Sequence, residues 1–386
     1  MASAIAKTAW WRSRRVRGLL FQGVLVAAIA FAVAGLAEHV VAEGGASGFG
    51  FLNNTAGFDI VQHLVSYSEQ STYGRVLLVG LLNTLLVAVL GIFFATILGF
   101  IIGIGQLSSN WLVARLCVAY VEVLRNLPLL LQIFFWYFAV LRALPGPRDS
   151  FNPFDDVYIN NRGLYLPRPE AAPEFVWVVA AFALGALGAL WLRLRARDKR
   201  ELTGQHTPQA LPIFGLLVLP PLVASAITGF PLTFSLPTLE GFNFSGGVVV
   251  IPELVALVVA LSAYAATYIA EAVRAGIAGV PSGQREAALA LGLSRGQMLR
   301  LVVIPQALRV MIPPMTSQYL NVLKNSSFGA AIAYPELVSV FMGSALNNTG
   351  QAIEIIAITL SVYLTLGLGV SALMNWYNAR MALVVR

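Results

Sequence analysis

Residues 271–305 read EAVRAGIAGVPSGQREAALALGLSRGQMLRLVVIP, and the order of helix formers and breakers in this stretch decides the fold. Pro281 suits the first turn of a helix, where its missing N–H costs nothing. Gln284 to Leu291 is rich in alanine and leucine, the strongest helix formers. Gly292 then stops the run in the left-handed conformation that ends many helices. Two residues later Ser294 and Gln297 have the S-x-x-Q spacing of a capping box and start a second helix. The stretch therefore predicts a short helix, a tight glycine turn, and a helix that continues into the apolar residues around Val302 and Pro305. The short helix is small-surfaced: Ala287, Ala288 and Ala290 admit another backbone at close range, while Arg285 and Glu286 stay available for polar contacts. On physics alone it reads equally well as a plain connector. A DNA-reading helix-turn-helix is disfavoured, because apolar segments on both sides pin the loop at a bilayer.

Those apolar segments continue along the whole chain. Of 386 residues, 58% are apolar and only 11% charged, against roughly 45–50% and 25% in soluble domains. With a mean hydropathy of +0.76, this composition excludes a soluble enzyme, a disordered protein and a nucleic-acid-binding domain, although 25 basic and 18 acidic residues leave a net charge of +7. A membrane crossing needs about 20 predominantly apolar residues. Eight stretches qualify, near 18–40, 76–104, 112–141, 175–192, 211–230, 252–273, 303–323 and 353–376, the seventh interrupted by Pro305, Pro313 and Pro314. The first is longer than the 7–15 apolar residues of a cleaved signal peptide, so an uncleaved span is expected. Basic residues orient the spans. Lys7 to Arg17, Arg193 to Arg200, Arg274 to Arg300, and Arg380 with Arg386 all fall on one side of an eight-span chain, which predicts both termini in the cytoplasm of a bacterial inner membrane.

The organisation follows. Residues 1–74 hold the basic N-terminus, the first span and an outer loop; 75–142 are the first part of a helical core; 251–386 are the second part, with the cytoplasmic loop 274–302. Between them, 143–250 reads as an insertion: an outer loop, a two-span hairpin with a basic cytoplasmic turn, and a second outer loop. Pro145, Pro147, Pro153, Pro167, Pro169 and Pro173 forbid a continuous helix over 143–174, and an irregular cap is expected there.

Catalytic and metal chemistry find no support. Cys117 stands alone in an apolar run and suits a small packing role; His39, His63 and His206 have no ligand spacing; no phosphate-cradling GxxxxGKS/T loop is present. Any ATP must be bound by another chain. What remains is polarity inside spans. Arg125 lies near the bilayer centre by helix rise and should face protein or water. Glu122, three residues earlier, is its expected partner. The pair is either an internal strut or a lining of a translocation path, and Gln132 follows beyond Pro128. Asn321, Lys324, Asn325, Ser326 and Ser327 form a second polar cluster after a proline-broken span. They could line a cavity fit for an α-carboxylate, or Lys324 could simply snorkel to the outer interface. Glycines at 91, 99, 103 and 105 let helices approach closely.

The stretch Glu286-Ala287-Ala288, three residues, Gly292, then Val302 and Ile304-Pro305 resembles the EAA loop of ABC importer permeases, with Val302 and Ile304 in place of the family's isoleucine and leucine. Gly80-Leu81-Leu82-Asn83-Thr84-Leu85, Glu122 to Gln132, Pro305 to Arg309 and Leu323 to Ser327 are similar to the polar amino-acid uptake permeases, over roughly 75–142 and 251–376. The enlarged form is similar to the general L-amino-acid permeases. The resemblance implies an all-α integral membrane fold: a MetI-like five-helix core plus an extra N-terminal helix and an inserted two-helix hairpin. It also implies a coupling helix at Arg285–Gly292, with Ser294 starting the return helix, that docks on ATPase subunits. ATP and magnesium would be held there, with no cofactor in this chain. The implied partners are a second homologous permease in a heterodimer and a periplasmic amino-acid-binding protein. The rival reading is a secondary amino-acid transporter driven by an ion gradient, which the scarcity of mid-span acids disfavours.

Overall fold

The computed structural model describes residues 48–203 and 209–381; the expected first span, 18–40, lies outside the described residues. In chain order the helices are α1 (Tyr73–Gln106), α2 (Trp111–Asn126), α3 (Leu129–Phe134), α4 (Phe175–Thr203), α5 (Ala210–Ile227), α6 (Pro252–Ala278) and α7 (Ser282–Ala290). They continue with α8 (Arg295–Met298), α9 (Ile304–Asn325), α10 (Leu346–Thr349) and α11 (Ala352–Met381). Among the described residues, six helices are long and apolar enough to cross a membrane, and α2 with the helix beyond it, Leu129–Leu141, counts as one more only if the pair is a single broken span and not a re-entrant loop. Six helices, or seven with that pair, stand against the eight spans expected. The break falls at Pro128, which caps α3 with extended backbone, as a residue that cannot donate to the preceding turn must.

Two compact units divide the chain. One comprises the residues up to Asn126 together with Leu261 onward, and the other is Leu127–Ala260. In the first, the buried residues of α1 fall at 73, 76, 79, 80, 83, 84, 87, 88, 91, 95, 99, 102 and 103, the three-and-four step of one helix face. The later part of that face is small because α6 lies hard against it. A Cβ on Gly99 would stand 2.5 Å from Ile269 Cγ2, and one on Gly103 would stand 2.6 Å from the Ala270 carbonyl. Contact this close is what holds helices together where lipid offers no hydrophobic drive. Cys117 does the same on a small scale, its Sγ filling the space that Gly105 leaves.

In the second unit α4 and α5 form an antiparallel hairpin. Its tightest point is Gly185, where any side chain would strike the Leu216 carbonyl. The two segments expected as outer loops are ordered into strands, including 143–174, whose prolines suggest an irregular cap. β1 (Phe151–Phe154), β2 (Val157–Asn160), β3 (Gly163–Leu166) and β8 (Val248–Val250) make one antiparallel sheet in that order. β4 (Arg168–Ala171) pairs with β5 (Leu232–Ser235), and β6 (Thr238–Glu240) with β7 (Asn243–Ser245). The prolines are tolerated because Pro153 lies on the edge strand β1 and Pro169 on a two-stranded ladder, where a missing N–H breaks little pairing. Left-handed backbone at Asp156 and Gly241 closes two of the turns. Phe244 stacks against both Tyr158 and Tyr165, at 4.5 and 4.8 Å between ring centres.

Candidate functional site

The loop between α6 and α9 folds as its sequence predicts. Pro281 caps α7, and Gly292 ends it with φ +78°. The Gly292 and Leu293 N–H groups donate back to the carbonyls of Leu289 and Ala288. Ser294 and Gln297 form the reciprocal capping box of α8: the Ser294 N–H donates to Gln297 Oε1 at 2.9 Å, and the Gln297 N–H donates to Ser294 Oγ at 3.3 Å. A π-helical turn over Leu299–Val303 then leads into α9.

The residues of α7 divide by face. Ala288 is 4% exposed and packs the helix against the rest of its unit. Arg285 ties the helix down from the side, its guanidinium donating to the Ile277 carbonyl at 2.6 Å. Glu286, Ala287, Ala290 and Gly292 are exposed. So are Leu289 and Leu291, the latter 82% exposed. These two leucines went unread in the sequence, because an alanine-leucine run reports helix propensity and not which leucines face outward. What α7 turns outward is therefore two leucines and a carboxylate on a firmly based helix.

The residues expected to line a path are placed unevenly. Arg125 and Glu122 are both exposed on α2, and among the described residues no ion pair joins them. The Arg125 guanidinium lies instead over the ring of Tyr268, 4.8 Å from its centre, a cation–π contact. Tyr268 is one of a row on α6: its hydroxyl is 3.0 Å from that of Tyr264, and one turn further on Glu271 pairs with Arg274 at 2.9 Å. Positions 264, 268 and 271 share one helix face, a spacing visible in the sequence once α6 is known to turn that face outward. Asn321 and Lys324 are likewise exposed near the end of α9, whereas Ser326 is fully buried. The Ser326 and Ser327 hydroxyls donate to the Leu323 and Lys324 carbonyls, so each gives its proton to the end of the helix and keeps its oxygen as an acceptor. Asn325 is half-buried. In the other unit, Gln132 is buried and donates to the Leu127 carbonyl at 3.0 Å, bridging the Pro128 break.

A second polar site joins α1 to the turn before the π-helix Val338–Ala345. Asn83 Nδ2 donates to the carbonyls of Gln62 and Pro335, both at 2.8 Å. The Leu337 N–H donates to Thr84 Oγ1 at 3.1 Å. Gly80 makes room, since a Cβ there would meet Leu337 Cα at 2.9 Å. Glu336, wholly buried, accepts the N–H groups of Val338 and Ser339 at 2.9 and 2.7 Å and the Tyr363 hydroxyl at 3.2 Å. Burial pushes its carboxyl up to about 7. The Gly80-x-x-Asn83-Thr84 run is thus a clamp on a non-regular segment, a role that needs the partner 250 residues away to be seen.

Among the described residues, a set of membrane-length helices thus carries an ordered, exposed helix between two of them and charged groups on an outward helix face. Residues 91–383 match the family described as the binding-protein-dependent transport system inner membrane component, and the chain belongs to that family. It is 52% identical over 376 residues to the putative amino-acid ABC transporter permease protein YhdX of Escherichia coli K12, covering 96% of this chain and 95% of that one. It is 51% identical to the general L-amino acid transport system permease protein AapQ of Rhizobium johnstonii, covering 94% and 90%. The glutamate/glutamine/aspartate/asparagine transport system permease protein BztB of Rhodobacter capsulatus is 38% identical over 90% of this chain and 88% of that one. The chain is therefore a multi-pass inner-membrane transport subunit and not an enzyme.

Proposed function

We propose that this chain is the permease subunit of an ATP-driven, binding-protein-dependent importer of L-amino acids that works by alternating access. The observation that carries the reading is α7. It is held from below by Ala288 and from the side by Arg285, and it offers Glu286, Ala287, Leu289 and Leu291 to a partner. Separate ATPase subunits bind ATP and magnesium, and their closure moves α7. The capping box and the continuous run from Ser294 into α9 transmit that movement to the spans. A change of state driven this way requires stiff docking, because a partner shifts an equilibrium only through its different affinity for the two states. The excess of lysine and arginine in the segments around α7 and at both ends supports cytoplasmic termini.

The same reading gives the outward polar residues a use. Exposed Arg125 and Glu122 on α2 cannot face hydrocarbon cheaply, so they face a second, homologous permease in a heterodimer and the path between the two. Tyr264, Tyr268, Asn321 and Lys324 belong to this lining. Substrate reaches it from a periplasmic amino-acid-binding protein. The relatives named for amino-acid transport over nearly their full length support the substrate class.

The test is purification of the tagged complex in mild detergent, wild type against Glu286→Lys and Leu291→Asp. Expected is an ATPase and a second permease with the wild type, and loss of the ATPase from both variants with the permease pair retained. A wild-type chain that purifies alone, with uptake that survives ATP depletion, overturns the reading.

A further inference from the structure

Along α4, Gly185, Ala189, Leu192 and Ala196 recur at steps of four, three and four and are buried or half-buried. A Cβ on Gly185 would strike the Leu216 carbonyl, so this face lies on α5. The other sides of α4 are bare. Leu187, Leu190 and Leu194 are each more than half exposed, an apolar surface that belongs in hydrocarbon. At its end the bare surface turns basic. The run Trp191-Leu192-Arg193-Leu194-Arg195-Ala196-Arg197 carries three arginines, all exposed. Residues 198–201, Asp-Lys-Arg-Glu, add two charges of each sign and leave the excess of three unchanged.

The arginines are a collar and not a stripe. At 3.6 residues per turn, Arg195 stands about 160° round the helix from both Arg193 and Arg197. A groove on another protein receives one side of a helix, whereas the headgroups of a bilayer meet it on every side that α5 leaves open. The level of the collar fits a headgroup layer as well. The Arg195 guanidinium lies over the Trp191 ring, 3.9 Å from its centre, a cation–π contact. An indole favours the boundary between hydrocarbon and headgroups, so the contact holds the charge at that boundary. From Trp191 to Arg197 the helix rises about 9 Å, against roughly 5–8 Å for the headgroup layer on one side of a bilayer. The arginine stems can lie along the exposed leucines while their charged ends reach the phosphates. A zwitterionic headgroup sets its own cation beside the phosphate and offsets this attraction; a headgroup with a net negative charge does not.

We propose that the collar of Trp191, Arg193, Arg195 and Arg197 at the end of α4 binds the headgroups of anionic phospholipids. The hairpin, which packs on itself through small residues and otherwise presents aliphatic side chains, is then fixed in depth by lipid charge.

The experiment uses the full-length protein, with the subunits that purify with it, in phosphatidylcholine vesicles. The vesicles carry a trace of photoactivatable phosphatidylglycerol or of photoactivatable phosphatidylcholine. Both probes hold the diazirine on the acyl chain near its ester, which leaves the headgroups intact, and adducts are mapped by peptide mass spectrometry. Expected are adducts on residues 190–197 several-fold more frequent from the anionic probe. The preference should vanish in a variant combining Arg193→Gln, Arg195→Gln and Arg197→Gln, and persist when the same three positions become lysine. Equal labelling by the two probes, a preference that the glutamines leave intact, or a region 190–197 that lipid does not reach overturns the proposal. The wild type alone decides the matter if the glutamine variant fails to insert. Exposed charges are screened by salt, so the preference should shrink at about 0.5 M, and a preference indifferent to salt overturns the proposal equally.

Discussion

α1 and α5 are both apolar enough to cross a membrane, yet thirteen residues of α1 are buried and none of α5. α1 carries glycines where α6 presses on it, and an asparagine and a threonine where the turn before Val338 must be held. α5 carries Pro220 and Pro221 within the helix and large aliphatic side chains turned outward. Apolarity places a helix in a bilayer but does not choose its neighbours, because lipid is as good a solvent for leucine as protein is. Small and polar residues choose neighbours, and they are concentrated in the first unit.

The largest effect should come from spoiling one of those close approaches. Gly103→Leu sets a side chain where even a Cβ would meet the Ala270 carbonyl at 2.6 Å and Val273 Cβ at 2.7 Å. Overpacking a core costs about 1–3 kcal/mol and more when backbone is the obstacle. The expected outcome is loss of the assembled complex on size exclusion. Normal assembly would mean that the α1–α6 contact is looser than its glycines require.

A smaller effect tests the polar clamp. The Glu336 carboxyl titrates at about 7 in the folded protein because burial disfavours its charge. In the unfolded chain it titrates near 4.5, so between these values the folded state holds a proton that the unfolded state has lost. The contribution is fully present below about 4.5 and is lost as pH rises through 7. A shift of this size is on the order of 3 kcal/mol. Thermal melts of the complex should therefore show stability falling over that range, and Glu336→Gln should flatten the slope. An unchanged slope would assign the pH dependence to another group.

How legible each part was follows from how local its interactions are. The α7–α8 turn was readable in full, because Pro281, Gly292, Ser294 and Gln297 act on backbone within four residues of themselves. The partner of Arg125 was misread for the complementary reason. Glu122 is close in sequence, whereas Tyr268 comes from another helix that the chain reaches only after the whole insertion. The strands of the outer loops were hidden by prolines, which forbid a helix but say nothing against an edge strand. Asn83 and Thr84 could be matched to a family pattern, yet their work depends on Pro335 and Leu337, which no spacing reveals. The hairpin was legible as two spans and no further, since it contains little beyond apolarity to read.

Gly292 lies between the two extremes. Its φ of +78° is a conformation that side chains adopt reluctantly, and nothing lies within 4 Å of the space a Cβ would take. Any penalty there is backbone strain, about 1–2 kcal/mol for most residues and less for asparagine. Gly292→Val should weaken substrate-stimulated ATPase activity several-fold, while Gly292→Asn should leave it near wild type. Equal loss in both variants would make the glycine a contact surface for the ATPase, not a turn.

The smallest effect belongs to α5. Gly215→Leu repeats the chemistry of Gly103→Leu in the hairpin, where a Cβ would meet only Leu219 Cδ1 at 3.9 Å. The added side chain gains lipid or open surface and displaces no backbone, so stability should change by less than about 0.5 kcal/mol. Assembly on size exclusion should match wild type. A Gly215→Leu complex that loses its second permease would show that α5 is covered by protein, and its bareness in the single chain would then mark an interface. The same glycine-to-leucine change, severe on α1 and silent on α5, separates a helix face chosen by its neighbours from one that no helix of the described chain covers.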